Sequence, residues 1–330
     1  MNPETAGRDQ IGSHVSESAR PWLSVIMPTW CGERWIGTAL QSIAEEQTKG
    51  IEVLLLDSSP TSATVDIARC YMDRVDLQVF VCPDLPMWQA KTNHAVAIAA
   101  ADHVCWLHQD DVWLPGRAAA VRAWIAADPN AALHLAPSAF IDDKGRRSGV
   151  WRCPLPAGRV LEAKLVRRRL LVQNFISAPA PVFRKQAWLD CGGMDQQLWY
   201  TGDWDIWLKL AASGPVIYHD QVTSGFRVHQ HSQTAIGSRN LTDFARQMQV
   251  VLDRHLPQVC GDRITERAAR ASVAINTALA AAGAGQIGSL WRALDEIVRL
   301  GPAGTYCYLR DSRVLERLLP RVLARARQAL

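Results

Sequence analysis

Two adjacent carboxylates, Asp110 and Asp111, follow an apolar run in the segment WLHQDDVW, residues 106–113. Hard divalent cations such as Mg²⁺ and Mn²⁺ prefer carboxylate oxygens and commonly share their coordination shell with substrate phosphates. Adjacent carboxylates also repel each other, so a cation or hydrogen bonds must stabilise the pair. The pair therefore indicates a metal site or, as the alternative, a helix start that Asp111 caps near Pro115 while Asp110 is solvated.

Three further acidic residues stand at positions where chemistry is possible. Asp57 ends the run LLLD, and its carboxylate could accept hydrogen bonds from a ribose or a base, or could form the turn before the next helix. Asp203 and Asp205 stand two residues apart in GDWDIWLKL, so on a helix they point to different sides. We expect one to face a cleft, where it could act as a general base for an acceptor hydroxyl, and the other to be solvated.

The histidines and cysteines do not indicate a zinc centre. His219, His229 and His231 have no partner set of the zinc type, and lone histidines are more often structural than ligands. The eight cysteines lie far apart without a CxxC pair, a pattern typical of reduced thiols.

The elements that must position these groups follow a regular rhythm. Four short apolar runs are each followed by a segment with apolar residues at helical spacing, which predicts a parallel, doubly wound sheet. Ligands of such sheets bind outside the carboxyl ends of the strands. The first run ends on Pro28-Thr29-Trp30, the second on Asp57 and the fourth on the HQDD segment, so we expect these groups along one edge. The predicted strands are 23–28, 51–57, 77–82 and 103–107, and the predicted helices are 33–47, 61–73, 88–101 and 115–128.

The pattern changes after about residue 130. A strand and turn are predicted in 132–145, a strand, short helix and Gly-Gly turn in 176–195, an amphipathic helix in 202–214 and two short strands in 215–234. Residues 240–330 are rich in Ala, Leu and Arg and are predicted to be helical, with breaks at 283–288 and 301–304. We therefore expect a disordered N-terminus in 1–20, one α/β domain in 21–236 and a helical region in 237–330.

Composition and charge exclude several classes of protein. The 330 residues are 48% apolar, enough for a full hydrophobic core. The net charge of +4 belongs to the tail, because residues 240–330 hold 13 arginines against 8 acidic residues. Without a basic stripe interleaved with aromatic residues, nucleic-acid binding is not expected. Residues 1–20 lack the apolar core of a signal peptide, and no run approaches 18 apolar residues, so we expect a cytoplasmic protein.

Taken in order, the segments between Pro21 and Thr234 resemble the family 2 glycosyltransferases, which are inverting enzymes with a GT-A fold. SVIMPTW is similar to the opening strand and nucleotide loop of the family, and LLLDSS to the segment whose Asp contacts the base. WLHQDDVWLP resembles the DxD segment. The likeness is completed by KTNHAV, by FRKQAWLDCGGMD, by GDWDIWLKLAASG, which is similar to the helix carrying the catalytic base, and by FRVHQHSQT, which is similar to the closing strand.

The resemblance implies an α/β fold of the GT-A type, which is Rossmann-like with a mixed, mostly parallel sheet, here with a C-terminal helical extension. It implies that Asp203 is the catalytic base, and that Asp110 contacts an Mg²⁺ or Mn²⁺ ion which bridges the diphosphate. Candidates for the other contacts are Pro28, Thr29, Trp30, Glu33, Asp57, Lys91 and Asn93 for the nucleotide, His108 and His229 for the metal, and Asp111, Trp199 and Trp204 for the sugar or acceptor, with a core role open for both tryptophans.

The implied reaction transfers a sugar from a UDP-, dTDP- or GDP-sugar to a hydroxyl of a saccharide or of a lipid-linked acceptor, as in the synthesis of cell-envelope polysaccharides. The sequence departs from the family in two places. Ser58-Ser59-Pro60 stands where Asp-Gly-Ser is common, and His108 stands where the first Asp of the triplet is expected, so a neutral imidazole would offer the metal less charge. His108 leaves a catalytically silent sugar-nucleotide-binding homologue as one alternative. A dinucleotide-dependent oxidoreductase is a further alternative, although no GxGxxG follows a strand.

The end of the chain, residues 312–330, places Leu and Val on one side of a predicted helix and arginines four apart on the other, with a kink at Pro320. A basic amphipathic helix can lie on an anionic membrane. Peripheral contact with the inner face of the membrane is thus one interpretation of the C-terminal helices, and packing on the protein itself or on a second copy is the other.

Overall fold

The computed structural model describes residues 20–47, 49–229, 232, 236–237, 240–259 and 262–320. The strands are β1 Leu23–Thr29, β2 Ile51–Asp57, β3 Asp76–Val81, β4 His103–Trp106, β5 Val112–Trp113, β6 Leu133–Leu135, β7 Ser138–Ile141, β8 Arg147–Trp151, β9 Val160–Leu161, β10 Val182–Arg184, β11 Val216–Tyr218 and β12 Ser224–Arg227. The helices are α1 Ile36–Ala44, α2 Ala63–Arg69, α3 Trp88–Ile98, α4 Arg117–Ala127, α5 Ala163–Val172, α6 Lys185–Asp190, α7 Gly202–Ser213, α8 Leu241–His255, α9 Arg263–Gly283, α10 Ser289–Arg299 and α11 Gly301–Ser312.

The main sheet has eight strands in the order β3-β2-β1-β4-β10-β6-β11-β9. Its first half consists of the four predicted strand–helix units, and β1, β2, β3 and β4 are parallel to one another. Every residue of β1 and β2 is buried, because parallel strands are covered by helices on both faces. The predicted mixed, mostly parallel sheet is confirmed, and β10 and β9 supply the antiparallel pairs.

A second, four-stranded sheet in the order β5-β12-β7-β8 was not predicted. Its strand β5 is only two residues long and lies inside the WLHQDDVW segment, where no alternating pattern could indicate it. The pairing of β5 with β12 brings Val112 beside Gly225. This sheet therefore joins the acidic segment after β4 to the FRVH segment, 110 residues further along the chain.

The core lies on both faces of the main sheet. The consecutive residues Val25 and Ile26 of β1 point to opposite faces and belong to two different apolar clusters. Helices α1 and α4 cover one face, whereas α3, α6 and α7 cover the other. Phe244, Met248 and Val251 of α8 belong to the same cluster as α7, so the C-terminal region shares the core of the α/β part.

The helical region follows the prediction in part. Helix α9 ends at Gly283 and α10 begins at Ser289, which confirms the break at 283–288. The break predicted at 301–304 is wrong, because these residues open α11 and the chain bends between Leu300 and Gly301. A further break occurs at Arg313, where φ is 42°, so the helix predicted from 312 starts again at 314. Such a backbone conformation is uncommon for residues other than glycine.

Residues 1–19 and 321–330 lie outside the described residues. The predicted disorder of the N-terminus, the positions of Arg321 and Arg325 and the predicted kink after Pro320 therefore lie outside the described part of the chain as well. Residues 314–320 are helical and pack against β8, where Pro320 contacts Gly149. In the described part of the chain, no helix is both long enough and apolar enough to cross a membrane. Membrane contact and dimerisation through these helices stay predictions.

Three histidines form a cluster between neighbouring strands of the main sheet. His134 is fully buried on β6, and its Nδ1 lies 3.1 Å from Nε2 of His219. The indole of Trp124 stacks on His219 with the ring centroids 4.2 Å apart, and His103 lies on the other side of His134. Burial, with His219 and His103 beside it, lowers the pKa of His134 from 6.5 to about 3. His219 is therefore structural, as lone histidines usually are.

Lowering the pH should reduce the free energy of unfolding through this histidine cluster. The unfolded chain binds a proton at His134 below about pH 6.5, whereas the folded chain does not until about pH 3, so lowering the pH between these values favours unfolding. We expect His134 to account for a loss of about 2 kcal/mol in the free energy of unfolding between pH 7 and pH 5. Urea denaturation at both pH values should show a smaller loss for His134→Gln. The exposed His94 provides the control, and equal losses for His134→Gln, His94→Gln and the unchanged protein would contradict this assignment.

Candidate active site

The ends of β1 and β2 form one side of the site. Thr29 and Asp57 are paired in the strand register, and the Thr29 hydroxyl donates to Oδ1 of Asp57 over 2.8 Å. The backbone N–H of Ser59 donates to Oδ2, and the Ser59 hydroxyl donates to Oδ1. Asp57 is 1% exposed, so its carboxylate forms the turn after β2. Its contact with a nucleotide base stays a prediction beside this structural role.

The loop after β1 is held to the loop after β4 by Gln109. The side-chain amide of Gln109 accepts from the backbone N–H of Trp30 over 2.8 Å and donates to the carbonyl of Trp30 over 3.0 Å. A Cβ at Gly32 would lie 2.7 Å from Gln109 Oε1, so a larger residue there would displace this amide. The Trp30 side chain is 59% exposed and offers a flat surface above the strand ends. Pro28 is buried in β1, and Glu33 is half-buried beside this loop.

The two candidates on α3 are both engaged with the protein. Lys91 is 1% exposed, and its Nζ donates to the carbonyl of Thr29 over 2.5 Å and to the Ser58 hydroxyl over 2.8 Å. Burial lowers the pKa of Lys91 to about 8, against the opposing charge of Asp57. Asn93 donates to the carbonyl of Met194 and accepts from its N–H. Lys91 therefore joins the loops after β1 and β2, and Asn93 fixes the Gly-Gly turn. Phosphate contacts by either residue stay predictions.

Asp110 lies within a group that links two segments of the chain. Its Oδ2 lies 2.8 Å from Nε2 of His229, and its carbonyl accepts from Nε of Arg227 over 2.7 Å. Burial acts to raise the pKa of Asp110, but the hydrogen bond with His229 and the nearby imidazoles lower it overall. The side chain keeps 22% exposure, so an ionised carboxylate at this position remains accessible. Arg227 was not among the predicted residues, although it belongs to the FRVH segment.

Asp111 differs from its neighbour. It is 2% exposed, and its Oδ1 accepts from the backbone N–H of Arg227 over 2.9 Å. Burial and the adjacent Asp110 raise its pKa well above the ordinary value. The expected cap on α4 is not formed by Asp111, because Glu46 accepts from the N–H groups of Gly116 and Ala118 instead. This placement favours a structural role for Asp111, and its contact with the acceptor stays a prediction.

His108 lies among aromatic rings. It stacks on Trp106 with the ring centroids 5.8 Å apart, and the ring of Trp88 meets it edge-on at 5.4 Å. Burial lowers the pKa of His108, against the charge of Asp110, so the imidazole is neutral near pH 7. Among the described residues, its Nε2 has no hydrogen-bond partner. Trp88 also donates to the carbonyl of Trp199, and it thereby joins the end of β4 to the segment before α7.

Asp203 lies in the first turn of α7. Its Oδ1 accepts from the N–H of Trp204 over 2.8 Å, and its Oδ2 accepts from Nδ2 of Asn174 over 2.9 Å. Burial raises the pKa of Asp203 to about 6, although both hydrogen bonds act to lower it. A carboxyl group with a pKa near 6 is ionised at neutral pH and can accept a proton there. Asn174 belongs to no motif, and nothing in the sequence pattern indicated it.

Asp205, expected to be solvated, is completely buried. Its carboxylate lies 2.7 Å from Lys209, 2.9 Å from Arg254 and 2.8 Å from His255. Burial acts to raise its pKa, but the hydrogen bonds with His255 and Lys209 and the charge of Arg254 lower it to about 2. The correction has a physical reason, because α8 brings Arg254 and His255 against α7 from 49 and 50 residues away in sequence.

Helix α8 also holds the segment before α7. Nε1 of Trp199 donates to Asp243 over 2.7 Å, and the Thr201 hydroxyl donates to the carbonyl of Gln247. Trp204 is 5% exposed, and its indole donates to the carbonyl of Leu170. Trp204 therefore lies in the core, which was the alternative to sugar stacking. Trp199 is half-buried, and its contact with a sugar stays a prediction.

The two carboxylates of α7 should differ in their contribution to stability. Asp205→Asn leaves Lys209 and Arg254 beside a neutral amide in a buried place, and we expect it to lower the free energy of unfolding by about 3 kcal/mol. Asp203→Asn removes a carboxylate that burial already disfavours, and the stability should be equal or higher. Urea denaturation at pH 7.5 measures both variants. Similar losses for the two would contradict this difference.

The chain is similar in sequence and in fold to known glycosyltransferases. The family model for glycosyl transferase family 2 matches residues 24–187, about half of the chain. An uncharacterized glycosyltransferase of Rickettsia prowazekii is 22% identical over 231 residues, which cover 68% of this chain and 69% of the relative. A second uncharacterized glycosyltransferase, from Rickettsia typhi, is 21% identical over the same shares of the two chains.

Two solved structures show the same fold at low sequence identity. S. aureus TarS 1-349 in complex with UDP-GlcNAc has a TM-score of 0.60 and 16% identity, over 77% of this chain and 72% of TarS. The mannosyltransferase PcManGT from Pyrobaculum calidifontis, in complex with GDP-Man and Mn²⁺, has a TM-score of 0.52 and 17% identity, over 92% and 87% of the two chains. The oxidoreductase alternative no longer stands, and the chain belongs to glycosyl transferase family 2, with the GT-A fold.

Proposed function

We propose that this glycosyltransferase inverts the anomeric centre of its donor sugar and that Asp203 is the general base. The observation that carries the proposal is the half-buried Asp203 carboxylate, held by Asn174 and by the first turn of α7, with a pKa raised by burial to about 6. A base is most effective when its pKa lies near the working pH. Asp205, the other acid of this turn, cannot take the role because Lys209, Arg254 and His255 surround it.

The reaction transfers one proton and exchanges one bond at the anomeric carbon. The acceptor O–H gives its proton to Asp203, and the acceptor oxygen bonds to the anomeric carbon from the face opposite the leaving group. The bond from that carbon to the diphosphate oxygen breaks at the same time, and the nucleoside diphosphate leaves with the bonding electrons. Attack from the opposite face inverts the configuration, as in other displacements in which a carboxylate activates the nucleophile.

The donor class is a UDP-, dTDP- or GDP-sugar, bound at the ends of β1 and β2. The exposed Trp30 ring supports stacking of the base, and the loops that Lys91 and Gln109 hold form the floor beneath it. TarS was solved with UDP-GlcNAc, and PcManGT with GDP-Man and Mn²⁺. These complexes support the donor class, and a saccharide or lipid-linked hydroxyl remains the proposed acceptor.

A divalent cation fits this site when the diphosphate supplies most of its ligands. Within the described residues, no three metal-binding side chains converge, but Mg²⁺ is often held by one or two carboxylates together with substrate phosphates. The ionised and partly exposed Asp110 meets that need, with His229 beside it. When bound, Mg²⁺ or Mn²⁺ would neutralise the charge of the leaving diphosphate. Asp110 would hold the cation, and Arg227 keeps Asp110 in place through its carbonyl.

A panel of UDP-, dTDP- and GDP-sugars tests the proposal. We expect at least one of them to raise the melting temperature in the presence of Mn²⁺ and to release its nucleoside diphosphate. Asp203→Asn should retain donor binding, because the amide keeps the shape of the side chain. It should lower transfer by roughly 100-fold or more, because the base is absent.

The matched control is Asp190→Asn, on the surface of α6. Asp203→Asn with unchanged transfer would remove Asp203 from the role of base. Binding of a donor without transfer by the unchanged protein, under every acceptor and metal condition tried, would favour the catalytically silent homologue.

Substitution of His108 tests whether this position takes part in metal binding. His108→Asp adds a carboxylate beside Asp110, so the Mn²⁺ concentration that gives half of the maximal donor binding should fall several-fold. His108→Asn, which is neutral, is the control for the loss of the aromatic contacts with Trp106 and Trp88. If the two variants require the same Mn²⁺ concentration, His108 is outside the metal site.

A further inference from the structure

We infer that Asn174 is a positioning residue that fixes the orientation of the Asp203 carboxylate and keeps Asp203 ionised at neutral pH. The inference rests on the proposed role of Asp203 as the base. Asn174 lies just after α5, on a segment that no motif of the sequence covers, and its side chain reaches across to the first turn of α7.

The orientation of the Asn174 amide is fixed by two contacts. Its Oδ1 accepts from the backbone N–H of Ile176 over 3.2 Å, which closes a local turn. With the carbonyl oxygen so engaged, Nδ2 is the atom that faces Asp203 and donates to its Oδ2 over 2.9 Å. A carboxylate accepts such a bond in its ionised form, so the contact favours the ionised form over the protonated one.

The Asp203 carboxylate is held at both oxygens, and the second contact comes from its own helix. The N–H of Trp204 donates to Oδ1, while the Trp204 indole is anchored in the core through the carbonyl of Leu170. Leu170 belongs to α5, four residues before Asn174. The end of α5 therefore fixes α7 through Trp204 and fixes the carboxylate through Asn174, so the base has a defined direction before any acceptor binds.

Charged groups on the elements packed against α7 are engaged elsewhere. On α5, Arg167, Arg168 and Arg169 contact Gln258, Asp262 and Asp311. On α6, Lys185 donates to carbonyls after α3, and Asp190 accepts from Gln186. On α8, Arg254 and His255 contact Asp205, as does Lys209 of α7 itself. Among the described residues, Asn174 is therefore the side chain that offsets the cost of burying the Asp203 charge.

The effect on catalysis follows from this balance. Burial raises the pKa of Asp203, and Asn174 opposes the rise. Without Asn174 the carboxyl group should hold its proton to a higher pH, and a protonated carboxyl cannot accept the proton of the acceptor hydroxyl. The acid limb of the activity profile should therefore move toward neutral pH, while activity at alkaline pH falls less.

The test uses Asn174→Ser, because a serine hydroxyl can accept from the N–H of Ile176 and keep the turn but is too short to reach Asp203. Asn174→Asp also keeps the turn and places a second carboxylate against the first. The control is Asn276→Ser, which removes an amide that donates to Gln173, next to Asn174 in sequence, without contact with Asp203.

The measurement is the titration of the Asp203 carboxyl carbon by NMR in protein labelled at aspartate, with the signal assigned by its loss in Asp203→Asn. We expect the midpoint to rise by about one pH unit in Asn174→Ser and further in Asn174→Asp, with no change in Asn276→Ser. A midpoint in Asn174→Ser equal to that of the unchanged protein would overturn the inference. If Asn174→Ser fails to fold, Asn174→Thr, whose hydroxyl also keeps the turn and also does not reach Asp203, decides by the same criterion.

The pH profile of transfer separates this inference from the proposed function. If both the NMR midpoint of Asp203 and the acid limb of the transfer profile move in Asn174→Ser, the inference and the proposed function are both supported. A midpoint that moves while the acid limb stays shows that Asp203 is not the base, and the proposed function then fails. If Asp203→Asn abolishes transfer but Asn174→Ser changes neither the midpoint nor the limb, the base assignment stands and the role of Asn174 is wrong.

Discussion

The carboxylate of Asp205 has no contact with solvent, and the arrangement of the active site depends on how its charge is compensated. A buried, unpaired carboxylate would cost several kcal/mol, so the fold must bring cations to it. One of them, Lys209, comes from its own helix, but Arg254 comes from α8, as does the hydrogen-bond partner His255. The C-terminal region is thus tied to the helix that carries Asp203. Because Arg254 also contacts Asp195, the same helix holds the turn before α7 as well.

The fixed position of α7 gives the two acids of its first turn opposite properties. Asp205 is hydrogen-bonded by His255 and lies beside the charges of Lys209 and Arg254, and its pKa is low, whereas Asp203 faces an uncharged amide and its pKa is raised. Two carboxyl groups of one type, two residues apart, are separated in this way into a structural charge and the proposed base. The difference arises from their neighbours, because charged side chains act on Asp205, whereas one amide and one backbone N–H act on Asp203.

The opposite side of the site is built from loops that are held by few contacts. Gln109 joins the loop after β1 to the loop after β4, and Lys91 joins the loops after β1 and β2. Arg227 holds the carbonyls of Asp110 and Asp142 and stacks on Trp35. Trp88 connects this side to the segment before α7. Loops fixed in this manner present a preformed surface, which reduces the entropy that is lost on binding a nucleotide.

The amino-acid sequence alone determined the first half of the sheet, the edge where polar groups gather and the family. Apolar runs that end on Thr29, Asp57 and His108-Gln109-Asp110-Asp111 specify parallel strands, and the carboxyl ends of such strands lie along one edge. These features are local, so a pattern of neighbouring residues is enough to reveal them. The burial and the partners of each acidic residue are not determined by its neighbours in sequence. Whether Asp203 or Asp205 is buried among cations depends on α8, nearly 50 residues away, and whether Asp111 caps a helix depends on the pairing of β5 with β12. Only the tertiary structure decided these points and placed Asn174 against Asp203, because burial and hydrogen bonding between distant segments set the charge of a carboxyl group, and no spacing in the sequence records them.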